Sequence, residues 1–155
     1  MQPRTLSIVP LLLAAGACAG AQAEPAERTF HKIVLEEDAF YAEGATVGDL
    51  NGDGILDFVY GPHWYAGPDF EQRFEYYEPS PFDPEQYSDN FFAYTYDFDG
   101  DGWQDIFIIH FPGEEASWYR NPGEETSDRW ERHIVMQGVD NESPTFMDLT
   151  GDGRP

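Results

Sequence analysis

The sequence contains a single cysteine, Cys18, and only 8 lysine and arginine residues against 30 aspartate and glutamate residues. A mature chain that begins after residue 23 contains no cysteine, so we expect neither a disulfide framework nor a cysteine zinc site. The formal net charge of −22 argues against a nucleic-acid partner, because binding to a phosphate backbone requires a basic surface. An anionic membrane surface would repel the chain for the same reason. Metal cations are the partners that this excess of acid predicts.

The chain also lacks an apolar run of the roughly 20 residues needed to cross a bilayer, so no transmembrane segment is predicted. A shorter apolar run extends from Leu6 to about Ala15, after the positively charged "MQPR", and "AQA" follows at 21–23. This order is typical of a cleaved secretory signal. We therefore predict that residues 1–23 are a signal peptide removed near Ala23, which makes the protein secreted, periplasmic or extracellular.

An alternative for the amino terminus is lipid attachment at Cys18, which "AGA" precedes. The leucine that usually stands three residues before a lipoprotein cysteine is replaced by Ala15, so cleavage near Ala23 is favoured. N-terminal sequencing of the exported protein distinguishes the two alternatives. Cleavage gives a chain that starts at Glu24, whereas a chain that starts at a lipid-modified Cys18 would establish the lipoprotein.

No catalytic motif is present. None of the four histidines, His31, His63, His110 and His133, lies in an HExxH motif, and no GxSxG, P-loop or GxGxxG sequence occurs. The acidic residues are too numerous to single out a glycosidase pair. We predict no catalytic residue in this chain.

What the sequence does contain is apolar and aromatic material for a core. Hydrophobic residues make up 41% of the chain and aromatic residues 16%. That content predicts a packed fold despite the high net charge, because disordered acidic chains are poor in aromatic residues.

Three similar acidic segments recur along the chain: "DLNGDGILD" at 49–57, "DFDGDGWQD" at 97–105 and "DLTGDGRP" at 148–155. We call them the first, second and third loops. They begin 48 and 51 residues apart, and "HWYAGP" at 63–68 matches "SWYRNP" at 117–122. A period of this size is typical of a repeat architecture whose unit is a few strands long.

Each unit predicts four short strands, and no segment has a helical period. The second strand is apolar on both faces, with Leu56, Phe58 and Tyr60 alternating with Ile55 and Val59, which is typical of a strand between two layers. In one unit the four predicted strands are about 44–49, 55–61, the segment around "WYAG" and 73–78. In the next unit the second, third and fourth strands are predicted at 103–111, around "WYRN" and at 130–136, after a first strand that leads into the second loop. A further fourth strand is predicted at 30–36, before the first complete unit.

The fold class predicted from these units is all-β, an incomplete β-propeller of four-stranded blades with calcium-binding hairpin loops. A single-sheet solenoid is the alternative, although its repeats are usually shorter. We place the partial propeller at 24–155, with blades at about 40–78 and 90–136 and a third that begins at about 141 and is cut off at 155. Because two and a fraction blades do not close a ring of four to eight, we expect the chain to be a fragment of a longer protein.

The spacing of the acidic residues predicts calcium sites. Calcium takes six to eight oxygen ligands, and the first, third and fifth residues of each loop direct side-chain oxygens inward. The seventh residue adds a backbone carbonyl and the ninth another carboxylate, while Gly54 and Gly102 at the sixth position permit the sharp turn. Position 12 holds Tyr60 and Ile108, so a helical EF-hand is excluded. The predicted ligands are Asp49, Asn51, Asp53, Ile55 and Asp57; Asp97, Asp99, Asp101, Trp103 and Asp105; and Asp148, Thr150 and Asp152. Ordinary Asx turns are the alternative, but the repetition favours calcium.

The loops resemble the signature D-x-[DN]-x-D-G-x-x-D of the FG-GAP or VCBS repeat family, which forms the propeller of integrin α-subunits. The first two loops match every ligand position, and the resemblance covers about 40–155. It implies a propeller with calcium bound between two strands of a blade. Thr150 departs from the signature, and only "YGP" at 60–62 is similar to the "GAP" element.

Residues that enter the predicted first strands form a possible ligand face: Glu43, Asn90, Asn141 and Glu142. Trp64, Tyr65, Trp118 and Tyr119 either stack on a sugar or pack between blades, and packing is the favoured interpretation. The predicted function is an exported calcium-binding propeller that acts as a non-catalytic binding or adhesion module for a glycan or protein. The alternative is part of a carbohydrate-active hydrolase or lyase, or its accessory domain, with catalytic residues outside these residues. No oligomeric state is predicted.

Overall fold

A computed structural model describes residues 29–37, 39–124, 129–140 and 142–155. The predicted signal peptide, with Cys18 and Ala23, and Asn141 therefore lie outside the described residues. The chain divides into two units, 1–33 and 34–155. Residues 29–33 have no regular secondary structure, and every strand belongs to the second unit. The described residues contain no helix that is long and apolar enough to cross a membrane.

Eight strands form two four-stranded antiparallel sheets, in which each strand pairs with the next along the chain. The first sheet contains β1 (Ala45–Gly48), β2 (Asp57–Tyr60), β3 (His63–Ala66) and β4 (Gln72–Glu75). The second sheet contains β5 (Phe92–Tyr96), β6 (Asp105–Ile109), β7 (Ala116–Arg120) and β8 (Glu131–Met136). For the described residues, the prediction of β structure with four strands in each of two repeats is confirmed, and two such sheets agree with the blades of a β-propeller.

The core lies between the two sheets. Val59 and Trp64, which pair across β2 and β3, belong to the same buried cluster as Ile106, Ile108 and Tyr119 of the second sheet. Complete burial of a valine or isoleucine side chain contributes about 1.5–3 kcal/mol, so these residues anchor one sheet on the other. A hydrogen bond also joins β5 to β1, since the hydroxyl of Thr95 donates to the Val47 carbonyl at 2.7 Å.

Several predicted boundaries are wrong. The strand predicted at 103–111 spans only Asp105–Ile109, and in the first sheet residues next to a strand take other roles. The strand predicted from residue 55 begins at Asp57, while Ile55 and Leu56 belong to the first loop and are exposed. The strand predicted to reach residue 78 ends at Glu75. The next residue, Tyr76, turns into the core, where its hydroxyl donates to the Gly61 carbonyl at 2.6 Å.

The strand predicted at 30–36 is also wrong, since its residues form no strand. A strand needs a neighbouring strand for its backbone hydrogen bonds, and in the described part of the chain none pairs with this segment. Glu36 instead places its carboxylate against one face of the first sheet, where it accepts from the Tyr65 hydroxyl at 2.8 Å and from Arg73 at 2.7 Å.

The start of the predicted third blade packs on the second sheet without forming a strand. The Phe146 ring contacts four aromatic rings, those of Tyr94, Tyr96, Phe98 and Phe107. The Tyr94 hydroxyl donates to the Pro144 carbonyl at 3.0 Å. The segment after the second sheet therefore covers part of the face that points away from the first sheet.

Candidate metal centre

The first aspartate of each loop binds the backbone of the turn. Asp49 accepts from the N–H groups of Asp53 at 3.1 Å and Gly54 at 2.9 Å. Asp97 accepts from Asp101 and Gly102 at the same two distances. These N–H groups are oriented dipoles, and a concave turn of such groups favours a negative charge at its centre. The backbone of the turn thus already stabilises the carboxylate at position 1.

Glycines at two positions allow this turn. In all three loops the fourth and sixth residues are glycines with φ between +71° and +95°, a region that other residues rarely adopt. The prediction covered the sixth position alone. At the fourth position of the first loop, Gly52 has a second requirement, because a β-carbon there would lie 3.0 Å from the Trp103 ring.

The third and fifth positions continue the same pattern. The N–H of Asp53 also donates to the Asn51 side-chain oxygen at 3.1 Å, and the N–H of Ile55 donates to Asp53 at 2.8 Å. In the second loop, Asp99 and Asp101 accept equivalent bonds at 3.1 and 3.0 Å. The two loops therefore share these bonds although their third residues differ, and the second loop adds a bond from the Gly100 N–H to Asp97 at 2.7 Å.

The ninth position differs from the others because its carboxylates are fully buried. Asp57 accepts from the N–H of Leu50 at 2.8 Å and from that of Gly67 at 3.0 Å. One carboxylate oxygen of Asp57 therefore binds the start of the loop, and the other binds the residue that follows β3.

Asp105 makes the equivalent pair of bonds, with Phe98 at 2.9 Å and Asn121 at 2.7 Å. Burial raises the pKa of the Asp105 carboxyl, and the two backbone N–H groups act in the opposite direction. Asp57 and Asp105 were predicted only as metal ligands, and the structure gives them a second role in closing the loops.

The second loop brings three carboxylates close enough to share one cation. Oxygens of Asp97, Asp99 and Asp105 lie within 4.8 Å of one another. Two oxygens that bind one calcium ion at 2.3–2.6 Å can be at most about 5 Å apart. The donor set consists of hard oxygen atoms, which is the type of ligand that calcium takes.

Arg120, at the end of β7, contacts the second loop from outside. Its Nε lies 2.5 Å from Asp99 Oδ2, and a terminal nitrogen lies 2.9 Å from Asp101 Oδ2. The hydrogen bond from Arg120 holds the pKa of Asp99 below its usual value. The loop prediction did not include this residue.

Asn121 connects the first two loops. Its side-chain nitrogen donates to the carbonyls of Leu50 and Gln104, both at 2.8 Å, and is buried. Its backbone N–H binds Asp105, as described above. Asn121, which directly follows β7, thus bonds both to the start of the first loop and to the end of the second.

The third loop keeps the backbone pattern in part. Asp148 accepts from the N–H groups of residues 150–153 at 2.7–3.3 Å, and Asp152 accepts from Arg154 at 3.0 Å. The bonds to the backbone hold the pKa of Asp148 low, and the bond from Gly153 has the largest effect. Thr150 takes the third position, where its N–H and hydroxyl point to Asp148.

The predicted ligand face is not brought together as one exposed surface. Glu43 and Glu142 are exposed, but Asn90 is only 1% exposed, and Asn141 lies outside the described residues. The backbone carbonyl of Asn90 accepts from the N–H groups of Glu43 and Gly44 at 3.0 and 3.1 Å. The prediction of an exposed role is wrong for Asn90, because the residue connects the two sheets.

The aromatic residues of the "HWY" and "SWY" segments mostly pack inside the protein. Trp64, Tyr65 and Tyr119 are buried, and Trp118 is half-buried and stacks on His133 at 4.6 Å between ring centroids. A groove of about 930 Å³ lies beside the first loop and is lined in part by Trp64, Phe74, Trp103 and Trp130. The packing interpretation accounts for three of the four aromatic residues.

Arg120 and Asn121 are the site residues that the sequence analysis missed. The sequence feature that could have identified them is the difference between the equivalent segments "HWYAGP" and "SWYRNP". The two segments differ at three positions, and two of these place Arg120 and Asn121 where the first unit has Ala66 and Gly67. In both units the backbone N–H of the second of these residues, Gly67 or Asn121, donates to the ninth aspartate.

Comparison with known proteins identifies one repeat. Residues 97–155, which include the second loop, β6 to β8 and the third loop, match the model of the FG-GAP-like repeat. The resemblance predicted from the loops is confirmed for this segment. Searches of curated proteins and of solved structures found no match.

Proposed function

We propose that the protein is a calcium-binding β-propeller repeat protein, in which the first and second loops each bind one structural Ca²⁺ ion. In this proposal the protein acts as a non-catalytic binding or adhesion module. The observation that carries the proposal is the group of three carboxylates, Asp97, Asp99 and Asp105, within 4.8 Å of one another. The match to the FG-GAP-like repeat supports a propeller-type binding module.

A structural role for the ion is supported by where the ligand residues are held. The ninth aspartate is bonded to backbone on both sides of the loop, so a cation there would join the turn to β2 or β6. The two loops contain no imidazole, thiol or hydroxyl side chain. The side chains of these loops that could bind a cation therefore do so through carboxylate and amide oxygens.

The expected stabilisation follows from mass action. A ligand that binds only the folded protein stabilises it by about 2.7 kcal/mol at a concentration one hundred times its Kd. Extracellular calcium modules commonly have Kd values of about 10⁻⁴–10⁻³ M. At about 1 mM calcium, which is about one to ten times such a Kd, the same relation gives about 0.4–1.4 kcal/mol per site, so we expect a measurable effect of calcium.

The test is differential scanning calorimetry of the protein in chelator and then with millimolar calcium. Calcium should raise the melting temperature of the wild type, and the response should be lost in the double variant Asp53→Ala/Asp101→Ala. A matched control is Asp69→Ala/Asp83→Ala, because these exposed aspartates also bind the N–H two residues later in turns outside the loops. The control should respond like the wild type. If the wild type does not respond, or the double variant responds fully, the loops are ordinary turns.

A further inference from the structure

The second loop differs from the first by two residues that change together. At the third position the first loop has Asn51 and the second has Asp99, which adds a carboxylate. At the end of the third strand the first sheet has Ala66 and the second has Arg120, which adds a guanidinium. Four carboxylates and one guanidinium leave the second loop with the same net formal charge as the three carboxylates of the first.

The contacts show that the added charges meet. Arg120 reaches across from β7, donating at 2.5 Å to Asp99 and at 2.9 Å to Asp101. In the first loop the corresponding bond to the fifth position comes from the neutral Asn51 amide, which donates to Asp53 at 3.1 Å. An arginine that binds two carboxylates in a fixed geometry neutralises them more specifically than a lysine does.

We propose that Arg120 is a built-in counter-ion of the second loop, and that it competes with an added divalent cation for Asp99 and Asp101. The second loop thereby keeps its turn without metal more firmly than its four carboxylates alone would allow, and it binds calcium more weakly than it would without Arg120. The first half of this inference concerns the metal-free protein. The second half rests on the proposed calcium function.

The first experiment measures amide hydrogen exchange by mass spectrometry in the presence of chelator. Arg120→Ala should speed exchange in residues 97–105 by about two- to fivefold, because exposed ion pairs contribute modestly, and should leave residues 49–57 unchanged. Arg120→Lys should give an intermediate result, since it keeps the charge but loses the forked geometry. Arg132→Ala is the matched control, because it removes an arginine of the same sheet that pairs with Glu115. Unchanged exchange in 97–105 for Arg120→Ala, or the same increase for Arg132→Ala, would overturn the proposal.

The second experiment measures calcium binding by isothermal titration in two backgrounds, one with the first loop disabled and one with the second loop disabled, each of which also carries Asp148→Ala in the third loop. With the first loop disabled by Asp53→Ala, adding Arg120→Ala should tighten binding to the second loop by about two- to tenfold, since a competing positive charge is removed. With the second loop disabled by Asp101→Ala, Arg120→Ala should not change binding to the first. The double variant Asp99→Asn/Arg120→Ala reproduces the residues of the first loop at both positions and should bind like it.

The outcomes separate the two proposals. If neither loop binds calcium in the wild type, the calcium function is wrong, and the exchange result alone decides whether Arg120 is the counter-ion of the loop. If both loops bind but Arg120→Ala weakens or does not change binding to the second, competition by Arg120 is wrong while the calcium function stands.

Discussion

The first and second loops share their backbone hydrogen bonds but differ in the groups that surround them. Asp57 and Asp105 close the two loops with equivalent pairs of bonds to backbone N–H groups. The outer carboxylates meet a neutral amide in the first loop and Arg120 in the second. The comparison teaches that the shape of these loops comes from the backbone and the buried ninth residue, whereas the exposed positions set their charge.

The two loops also differ in how far the rest of the protein covers them. The second residue of the first loop, Leu50, is 2% exposed, since the second sheet lies over it and Asn121 binds its carbonyl. The equivalent Phe98 is 36% exposed, and Leu149 of the third loop is 85% exposed. The second sheet therefore covers the first loop at this position, whereas the second loop is more open to solvent.

The largest effect is expected from the ninth position. Asp57→Ala or Asp105→Ala leaves two backbone N–H groups without a partner, which costs about 1–3 kcal/mol for each group. We expect each variant to lose about 2–4 kcal/mol of unfolding free energy in urea denaturation with chelator present, against less than about 1 kcal/mol for the exposed Asp53→Ala. Asp57→Asn keeps one acceptor oxygen and should be intermediate. Equal losses of stability at positions five and nine would contradict the inference that the buried ninth residue determines the shape of the loop and the exposed positions only its charge.

A smaller effect is expected from the residue that joins the loops. Asn121→Ala removes the donor to the Leu50 and Gln104 carbonyls but keeps the backbone bond to Asp105. We expect a loss of about 1–3 kcal/mol in urea denaturation and faster hydrogen exchange in residues 49–57. Asn51→Ala changes a half-buried asparagine whose side-chain bonds go to Asp53 of the same loop, and it serves as the control for stability. If Asn121→Ala leaves exchange in 49–57 unchanged, coverage of the first loop does not depend on this side chain.

The smallest effect is expected in how the free energy of unfolding depends on pH. The first sheet has His63 at the position where the second sheet has Ser117. Burial lowers the pKa of His63, and the charge of Arg73 acts in the same direction. Below pH of about 6.5 the unfolded chain therefore binds a proton that the folded protein does not, so stability falls as the pH drops through that value. His63→Ser should reduce the difference in urea midpoint between pH 7 and pH 5. The change should be well below the loss expected from Asp57→Ala.

A second histidine provides a further test of this pH dependence. His110 lies 3.3 Å from the Ser117 hydroxyl, and burial lowers its pKa as well. His110→Ser should therefore change the pH dependence in the same direction as His63→Ser. An identical pH dependence in the wild type and in both variants would show that neither histidine contributes.

The strands and loops were predictable from sequence because they depend on local patterns. Alternating apolar residues, the acidic turn and its glycines repeat within about fifty residues, and repetition of a pattern identifies its essential positions. The strand prediction at 30–36 is wrong because the sequence of this segment is similar to that of β8, whereas no strand of the described residues pairs with it. Local sequence specifies the tendency to form a strand, but the partner decides the outcome.

The bonds between units were not predictable from one sequence. Asn121 reaches the Leu50 carbonyl from 71 residues away in the chain, and Arg120 reaches Asp99 from 21. No spacing rule connects residues so distant, and Asn90 entered the prediction as an exposed residue for the same reason. The differences between equivalent positions of the two units, Ala66 against Arg120 and Gly67 against Asn121, were the one signal of these contacts.

The third position of the loops shows how this architecture tolerates mutation. Asn51, Asp99 and Thr150 occupy it in the three loops, and the first aspartate binds the N–H groups of the fifth and sixth residues in each case. Substitution there changes the charge of a loop and leaves its turn in place. Gene duplication followed by substitution at this position can therefore give repeats whose loops differ in charge within one protein, without a change of fold.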